Sequence, residues 1–247
     1  MRLTERVFLV GSGSFGFSMT HELDCHVYLI DGGSKLALID AGVGLETERI
    51  LDLVTKHGFD LKRVKFLLLT HGHADHAGGA AKIHELLPHV RVVMSGLISE
   101  AIRTADEEKI GLTFGREIGF YPADYHLKPC PVEIEVSEGD TIEVGDCSLS
   151  VIETPGHSLG HISFFMKQEG KIYLFGGDHI FFGGQVLMQN VIDCSITDYS
   201  QSMKKLIGLG VDVLLPGHLC ISLSDGQRHI DAANEAFGRL GIPKNIL

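Results

Sequence analysis

Three histidines and one aspartate stand close together in the first third of the chain. The stretch HGHADH, residues 71–76, follows directly after a run of mostly apolar residues over positions 64–70. Neutral imidazole and carboxylate are the ligands that divalent metals such as zinc take in proteins. So dense a cluster has no use in an apolar core and adds little to a surface. We therefore interpret it as a set of metal ligands.

The same arrangement recurs three times downstream, where an apolar run ends and a histidine or aspartate follows. His157 comes after a Thr-Pro-Gly step, Asp178 after a Gly-Gly pair and His218 after a Pro-Gly step. Each apolar run is typical of a buried strand, and each glycine permits a sharp turn at the strand's end. Strand ends and the loops after them often carry functional residues. Four such ends along one sheet edge would supply seven ligands: His71, His73, Asp75, His76, His157, Asp178 and His218.

The ordered set of HxHxDH, TPGH, GD and PGH resembles the metallo-β-lactamase superfamily, and the resemblance covers most of the chain. Residues 38–42, LIDAG, also resemble an early motif of that family. The resemblance implies a four-layer αββα sandwich and a site with two metals. It implies one metal on His71, His73 and His157, a second on Asp75, His76 and His218, and Asp178 as the bridge between them.

Two divalent metals would hold a hydroxide between them as a nucleophile at neutral pH. Zinc is the first expectation, although iron, manganese or cobalt would accept the same ligands. Asp75 is the expected catalytic residue, because it would both bind a metal and orient the hydroxide. The leading prediction is a metallo-hydrolase that attacks the carbonyl of a small-molecule ester, lactone or thioester.

Other functions stay open at this point. The same metals would suit a phosphodiesterase acting on a small phosphodiester, although the sequence has no basic run to clamp one. A non-heme iron redox member of the same fold and a non-enzymatic metal-binding or ligand-sensing module are further alternatives. Glyoxalase II-like thioesterases carry Cys-Gly-Arg after the GD motif, and this tripeptide is missing after Asp178.

Several polar residues near the motifs are expected to support the ligands rather than bind metal. Asp40 ends an apolar run and could accept a hydrogen bond from the ring of a ligand histidine. His161, four residues after His157, is expected in a similar supporting position. His179 should point away from its neighbour Asp178, because adjacent residues of a strand face opposite sides. Whether His161, His179 or His229 reaches the site stays open.

Strand and helix patterns alternate along both halves of the chain. Strands are predicted over residues 7–10, 27–31, 35–40, 64–70, 91–94, 132–136, 141–144, 147–154, 162–166, 171–175 and 213–215. Helices are predicted over residues 45–57, 78–87, 97–104, 198–209 and 225–240. This order predicts an α/β (α+β) fold in which two sheets pack face to face with helices outside. No linker divides the chain, so residues 1–247 are predicted to form a single domain.

Two irregular segments are candidates for the walls of a substrate pocket. Residues 105–131 fit no clean period and contain Phe114, Phe120, Tyr121 and Tyr125. Long irregular segments inside a compact chain are usually functional, so we expect a wall or a lid there. The glycine- and serine-rich stretch over residues 11–24 is the candidate for the opposite lip.

Composition limits the class of partner. The chain has 247 residues, 44% of them hydrophobic, and a formal net charge of −11 without a basic run. These numbers predict a globular protein with a small-molecule substrate, no extended nucleic-acid surface and no membrane span. Five scattered cysteines and no targeting segment predict free thiols and a cytoplasmic location. A homodimer is an expectation, since dimers are common in the family that the chain resembles.

Overall fold

The computed structural model describes residues 1–246 and arranges them in two β-sheets with helices on the outer side of each. The strands are β1 (Val7–Gly11), β2 (Val27–Gly32), β3 (Lys35–Ile39), β4 (Val64–Leu68), β5 (Arg91–Ser95), β6 (Ile134–Val136), β7 (Thr141–Val144), β8 (Cys147–Glu153), β9 (Ile162–Gln168), β10 (Lys171–Gly177) and β11 (Val213–Pro216). The helices are α1 (Thr47–Lys56), α2 (Ala74–Ala77), α3 (Ala80–Leu86), α4 (Ser99–Thr104), α5 (Leu112–Glu117), α6 (Ile196–Lys205) and α7 (Gln227–Gly238).

The first sheet has six strands in the order β1-β2-β3-β4-β5-β6. Its first three strands pair antiparallel, and β3 to β6 pair parallel. In β4, Leu67 packs toward the outer helices while Phe66 and Leu68 pack toward the other sheet. A strand that is buried on both faces needs apolar residues at consecutive positions, which explains the continuous apolar run.

The second sheet has five strands in the order β11-β10-β9-β8-β7. Strands β7 to β10 form an antiparallel meander, and β11 joins β10 in parallel. The parallel pair places the ends of β10 and β11, which precede Asp178 and His218, side by side.

Three apolar layers hold the sheets and helices together. The first lies between the first sheet and α1, α3 and α4, and the third lies between the second sheet and α6 and α7. The middle layer fills the space between the sheets, where Tyr28, Phe164 and Phe175 are fully buried. Burial of one such side chain stabilises the fold by roughly 1.5–3 kcal/mol. The result is the four-layer αββα sandwich that the sequence predicted.

The helix predicted over residues 78–87 is wrong at its start, because the chain forms α2 first and begins α3 only at Ala80. A side chain at Gly78 would collide with the Tyr125 hydroxyl and would come within 2.5 Å of the Val43 carbonyl oxygen. Close packing therefore fixes the backbone at this glycine. The short helix α2 carries Asp75 and His76.

Other predicted bounds also differ from the structure by a few residues. The helix predicted from position 198 begins at Ile196, because the Ser195 side chain caps it by accepting a hydrogen bond from the Asp198 N–H at 3.3 Å. The segment 105–131 is not irregular throughout, since it contains α5.

Within residues 1–246, no helix is long and apolar enough to cross a membrane.

Candidate metal centre

The four strand ends singled out from the sequence meet at one edge of the sandwich. Residues 71–76 follow β4 of the first sheet, whereas His157, Asp178 and His218 follow β8, β10 and β11 of the second. All seven side chains are buried and lie in overlapping groups whose ligand atoms are within 4.8 Å of one another. The structure thus brings together every ligand candidate that the sequence suggested.

The first group consists of His71, His73 and His157. The ring nitrogens Nε2 of His157 and Nδ1 of His73 are 2.9 Å apart. Nε2 of His71 is buried and has no hydrogen-bond partner. Three nitrogen lone pairs therefore converge on one small volume.

The second group consists of Asp75, His76 and His218. His218 Nε2 lies 3.0 Å from Asp75 Oδ2 and 3.3 Å from His76 Nε2. Asp178 lies between the two groups, with Oδ1 3.3 Å from His76 Nε2 and Oδ2 3.7 Å from His157 Nε2. Its buried Oδ1 makes no hydrogen bond. This position is compatible with a bridging ligand.

The chemistry of these donors fits divalent cations. Buried carboxylates are normally paired with a cation. Within residues 1–246 no lysine or arginine forms an ion pair with Asp75 or Asp178, and their pairing partners are the imidazoles of the candidate ligands His76, His157 and His218. Burial lowers the pKa of His157 to about 4 and holds the pKa of His71 well below its usual value. Both imidazoles are therefore neutral near pH 7, as a metal ligand must be.

Asp40 contacts His76 of the second group directly and His71 of the first group through the Thr70 hydroxyl. Its Oδ2 lies 2.8 Å from His76 Nδ1, and it accepts hydrogen bonds from the Thr70 hydroxyl, which is itself 3.0 Å from His71 Nδ1. A carboxylate at Nδ1 fixes the proton there and leaves Nε2 free to bind metal. The backbone of Asp40 is left-handed, with φ 62°, a conformation that aspartate and asparagine tolerate better than most residues.

The other histidines near the motifs support the backbone or pack away from the ligands. His161 Nε2 accepts a hydrogen bond from the Asp178 N–H at 3.1 Å. His179 lies flat against Tyr199, with ring centroids 4.6 Å apart. His229 Nδ1 accepts from the Gly183 N–H at 2.9 Å. None of the three belongs to a ligand group formed by the described residues.

The Gly217 backbone lies against two candidate ligands. A side chain at this position would collide with Asp178 Oδ1 and would come within 2.6 Å of His76 Cε1. A residue other than glycine would therefore occupy the space that the ligands enclose. This explains the glycine before His218 better than turn flexibility does, because its φ is not positive.

A cavity of about 370 Å³ opens above the candidate ligands His73, Asp75, Asp178 and His218. Its walls are mainly apolar, and no lysine or arginine of the described residues lines it. The wall residues are Phe15, Ile110, Gly111, Phe114, Gly115, Ile118, Phe120, Tyr121, Leu187, Met188, Gln189, Asn190, Val191, Leu219 and Ile246.

The two segments proposed as walls both contribute to this cavity. Phe114, Phe120 and Tyr121 line one side, and Phe15 lies opposite, 6.4 Å from the Phe120 ring. The prediction for Tyr125 is wrong, because this residue does not line the cavity. Its ring stacks on Tyr121 and its hydroxyl donates to the Val43 carbonyl oxygen at 2.7 Å.

Residues 187–191 form a third wall of the cavity, which the sequence did not predict. The Leu187 carbonyl oxygen lies 2.8 Å from His157 Nδ1. The Asn245 side chain holds the next residue at two points: it accepts from the Met188 N–H at 3.0 Å and donates to the Met188 carbonyl at 2.9 Å. Ile246 reaches the cavity beside this clamp. No periodic pattern marks this contact between segments far apart in sequence.

Asp193 is another residue that the sequence did not reveal. Its Oδ2 lies 3.7 Å from His73 Nε2, the nitrogen that faces away from His157. No apolar strand precedes it, so the pattern that identified the other acidic residues does not apply.

The sequence of this chain is similar to a known protein family and to several characterised relatives. The family model described as "Metallo-beta-lactamase superfamily" matches residues 22–218. The atrochrysone carboxyl ACP thioesterase of Aspergillus fumigatus is 26% identical over 78% of this chain and 50% of its own length. An acyl-coenzyme A thioesterase of Gallus gallus is 28% identical over 88% of this chain and 79% of its own. A hydroxyacylglutathione hydrolase of Chelativorans is 32% identical over 74% and 56%.

The chain therefore spans about half the length of the first and third of these relatives. Among solved structures, a metallo-beta-lactamase family protein from Thermus thermophilus superposes with a TM-score of 0.75 at 22% identity, covering 96% of this chain and 81% of that one. A subclass B3 metallo-beta-lactamase of Bradyrhizobium japonicum superposes with a TM-score of 0.72 at 23% identity, covering 97% and 91%. These likenesses show a shared fold.

Proposed function

Because this chain belongs to the metallo-beta-lactamase superfamily, we propose that it is a metal-dependent hydrolase of small-molecule thioesters and related esters. One observation carries the proposal: candidate metal ligands from both groups, together with Asp178, form the floor of a cavity whose walls are otherwise mainly apolar. The floor suits a carbonyl under attack by water, and the walls suit the hydrocarbon part of an acyl group.

The cavity favours a carbonyl substrate over a phosphodiester. A phosphodiester carries a negative charge that lysine or arginine side chains usually help to bind, whereas no lysine or arginine of the described residues lines this cavity. An acyl group is neutral and gains free energy from burial of its methylene groups, about 0.8 kcal/mol for each. Two of the relatives compared are named thioesterases, which ranks a thioester ahead of a lactone.

The metals in this proposal are two zinc ions. His71, His73 and His157 would hold one, Asp75, His76 and His218 the other, and Asp178 would contact both. Such a pair lowers the pKa of bound water and polarises a carbonyl oxygen.

The protein's own groups then have distinct tasks. Asp75 lies in the cavity floor, where its carboxylate can accept a hydrogen bond from the attacking water and orient it. Burial raises the pKa of Tyr121 well above its usual value, so its hydroxyl keeps its proton and donates to Asp75. The rings of Phe15 and Phe120 line the cavity with their centroids 6.4 Å apart, where they can contact and orient the acyl group.

The test is a hydrolysis assay on zinc-loaded protein with acyl thioesters of two to twelve carbons, a lactone and a chromogenic phosphodiester. We expect thioester turnover that rises with acyl length until the cavity is full. The activity should disappear in the presence of a chelator and in His73→Ala.

Turnover of the phosphodiester alone would replace this proposal with the phosphodiesterase alternative. Equal rates for acetyl and longer acyl thioesters would contradict the assignment of the apolar walls to the acyl group.

A further inference from the structure

The Tyr121 hydroxyl makes two hydrogen bonds to the same residue, Asp75. It donates to Oδ1 at 2.8 Å and accepts from the Asp75 backbone N–H at 3.3 Å. The other carboxylate oxygen, Oδ2, faces His218 Nε2 at 3.0 Å. One phenol thus holds both the backbone and the side chain of a candidate metal ligand.

This contact restricts the rotation of the Asp75 carboxylate. The terminal torsion of an aspartate side chain is broad and roughly two-fold, so its two oxygens exchange easily. A ligand that turns freely loses side-chain entropy when it binds metal. A donor fixed on Oδ1 keeps Oδ2 directed toward His76 and His218 before any metal arrives.

The Tyr121 ring is itself held firmly. It is 7% exposed, stacks on Tyr125 and meets Phe120 edge-on with ring centroids 4.8 Å apart. Gly115 in α5 makes room for it, because a side chain there would come within 2.6 Å of the Tyr121 ring. The wall segment 105–131 therefore reaches the metal centre through one hydroxyl group.

We propose that Tyr121 is a positioning residue that orients Asp75 for the second metal and for catalysis. The proposal rests on the proposed function for the presence of the metals. A carboxylate has about four acceptor positions, so Asp75 can accept a hydrogen bond from water beside the one from Tyr121. The hydroxyl acts through Asp75 and leaves the first ligand group untouched.

The experiment compares Tyr121→Phe with Tyr125→Phe by zinc competition against a chromogenic chelator, which needs no substrate. Each variant removes one buried hydroxyl from the same segment, but only Tyr121 contacts a ligand. We expect Tyr121→Phe to weaken one of the two zinc sites, the one that contains Asp75, by roughly 10–100-fold, as is typical for the partner of a metal ligand. The zinc affinity of the other site should change less than about threefold, and Tyr125→Phe should match the unchanged protein at both sites.

A second variant, Gly115→Ala, displaces the Tyr121 ring without removing the hydroxyl and keeps a good helix former in α5. It should weaken the same site and lower kcat more than it raises KM. Equal zinc affinities in Tyr121→Phe and Tyr125→Phe would overturn the proposal, as would an equal loss at both sites. A protein that binds only one zinc ion would also overturn it, whereas two zinc ions without thioester turnover would refute the proposed substrate alone.

Discussion

At the scale of single residues, Asp178 lies between the two ligand groups. Its carboxylate oxygens lie within 3.7 Å of Nε2 of His76, His157 and His218. Burial alone would raise the pKa of this carboxyl group, but the neighbours His218 and His76 hold its pKa well below the usual range. The group is therefore ionised near pH 7 and brings negative charge to the point where both groups meet.

We expect Asp178→Asn to lower zinc binding at both sites, because a neutral amide cannot replace a charged bridging ligand. The loss should exceed the roughly 10–100-fold that is typical for a residue behind the ligands. Zinc content after dialysis, measured by atomic emission, checks this. Full occupancy of either site in the variant would contradict the bridging assignment.

Asp40 acts on the site through hydrogen bonds. Because its Oδ2 faces His76 Nδ1 at 2.8 Å, it selects the tautomer whose Nε2 is free. In Asp40→Asn the amide group would face the same ring nitrogen and favour the opposite tautomer. We expect a roughly 10–100-fold loss of affinity at the second site, measured by zinc competition. Asparagine also tolerates the left-handed backbone at this position.

Asp24→Asn is the matched control for this change. Asp24 is also a buried carboxylate, but it accepts from the Val43 and His21 backbone N–H groups and contacts none of the candidate ligands. Zinc affinity should stay unchanged in this variant. Equal losses in both variants would mean that Asp40 serves folding rather than the orientation of His76.

At the scale of elements, the ligands were predictable because they stand in the short segments that follow predicted strands. An apolar run that ends in glycine and then histidine or aspartate is a local pattern, and local patterns are visible in a sequence. The Asn245 clamp on Met188 and the contact of Asp193 with His73 join segments far apart in the chain. Only the folded structure brings such residues together, so no local pattern could have identified them.

The boundaries of helices were less predictable for a related reason. The glycine at position 78, between α2 and α3, is required by its packing against Tyr125 and Val43 from distant segments. The position of Tyr125 behind Tyr121, and not in the cavity, depends equally on packing. Aromatic residues in an irregular segment show that a wall exists, but they do not show which rings face the substrate.

The clamp formed by Asn245 leads to a prediction about specificity. Each of its two hydrogen bonds contributes about 0.5–1.5 kcal/mol, and together they hold a wall of the cavity in place. In Asn245→Ala we expect KM for a long acyl thioester to rise about fivefold, with little change for an acetyl thioester. Steady-state kinetics on the two substrates measure the ratio.

Lys244→Ala serves as the control, because Lys244 is exposed and its backbone carbonyl alone pairs with Val186. In Lys244→Ala the ratio of KM for the long acyl thioester to KM for the acetyl thioester should not change. A fivefold rise in KM for both substrates in Asn245→Ala would mean that the substitution acts on His157 through the Leu187 carbonyl, and not on the wall of the cavity.

At the scale of the whole molecule, the candidate metal centre connects the two sheets. Four candidate ligands follow β4 of the first sheet, and three follow strands of the second. The middle apolar layer joins the same two sheets over their faces. We therefore predict one cooperative unfolding transition for residues 1–247, as expected of a single domain, and we expect metal binding to stabilise the packing of one sheet on the other.

Metal removal should lower the melting temperature substantially. A ligand present at 100 times its Kd stabilises the folded state by about 2.7 kcal/mol, and about 1 kcal/mol corresponds to roughly 2–4 °C in a chain of this size. Each zinc ion should therefore raise the melting temperature by roughly 5–10 °C in differential scanning calorimetry. A variant with His73→Ala and His218→Ala together, which lacks one ligand from each group, should melt near the metal-free protein and should not respond to added zinc. Identical melting curves for zinc-loaded and metal-free protein would mean that the two sheets are held together by the middle apolar layer alone.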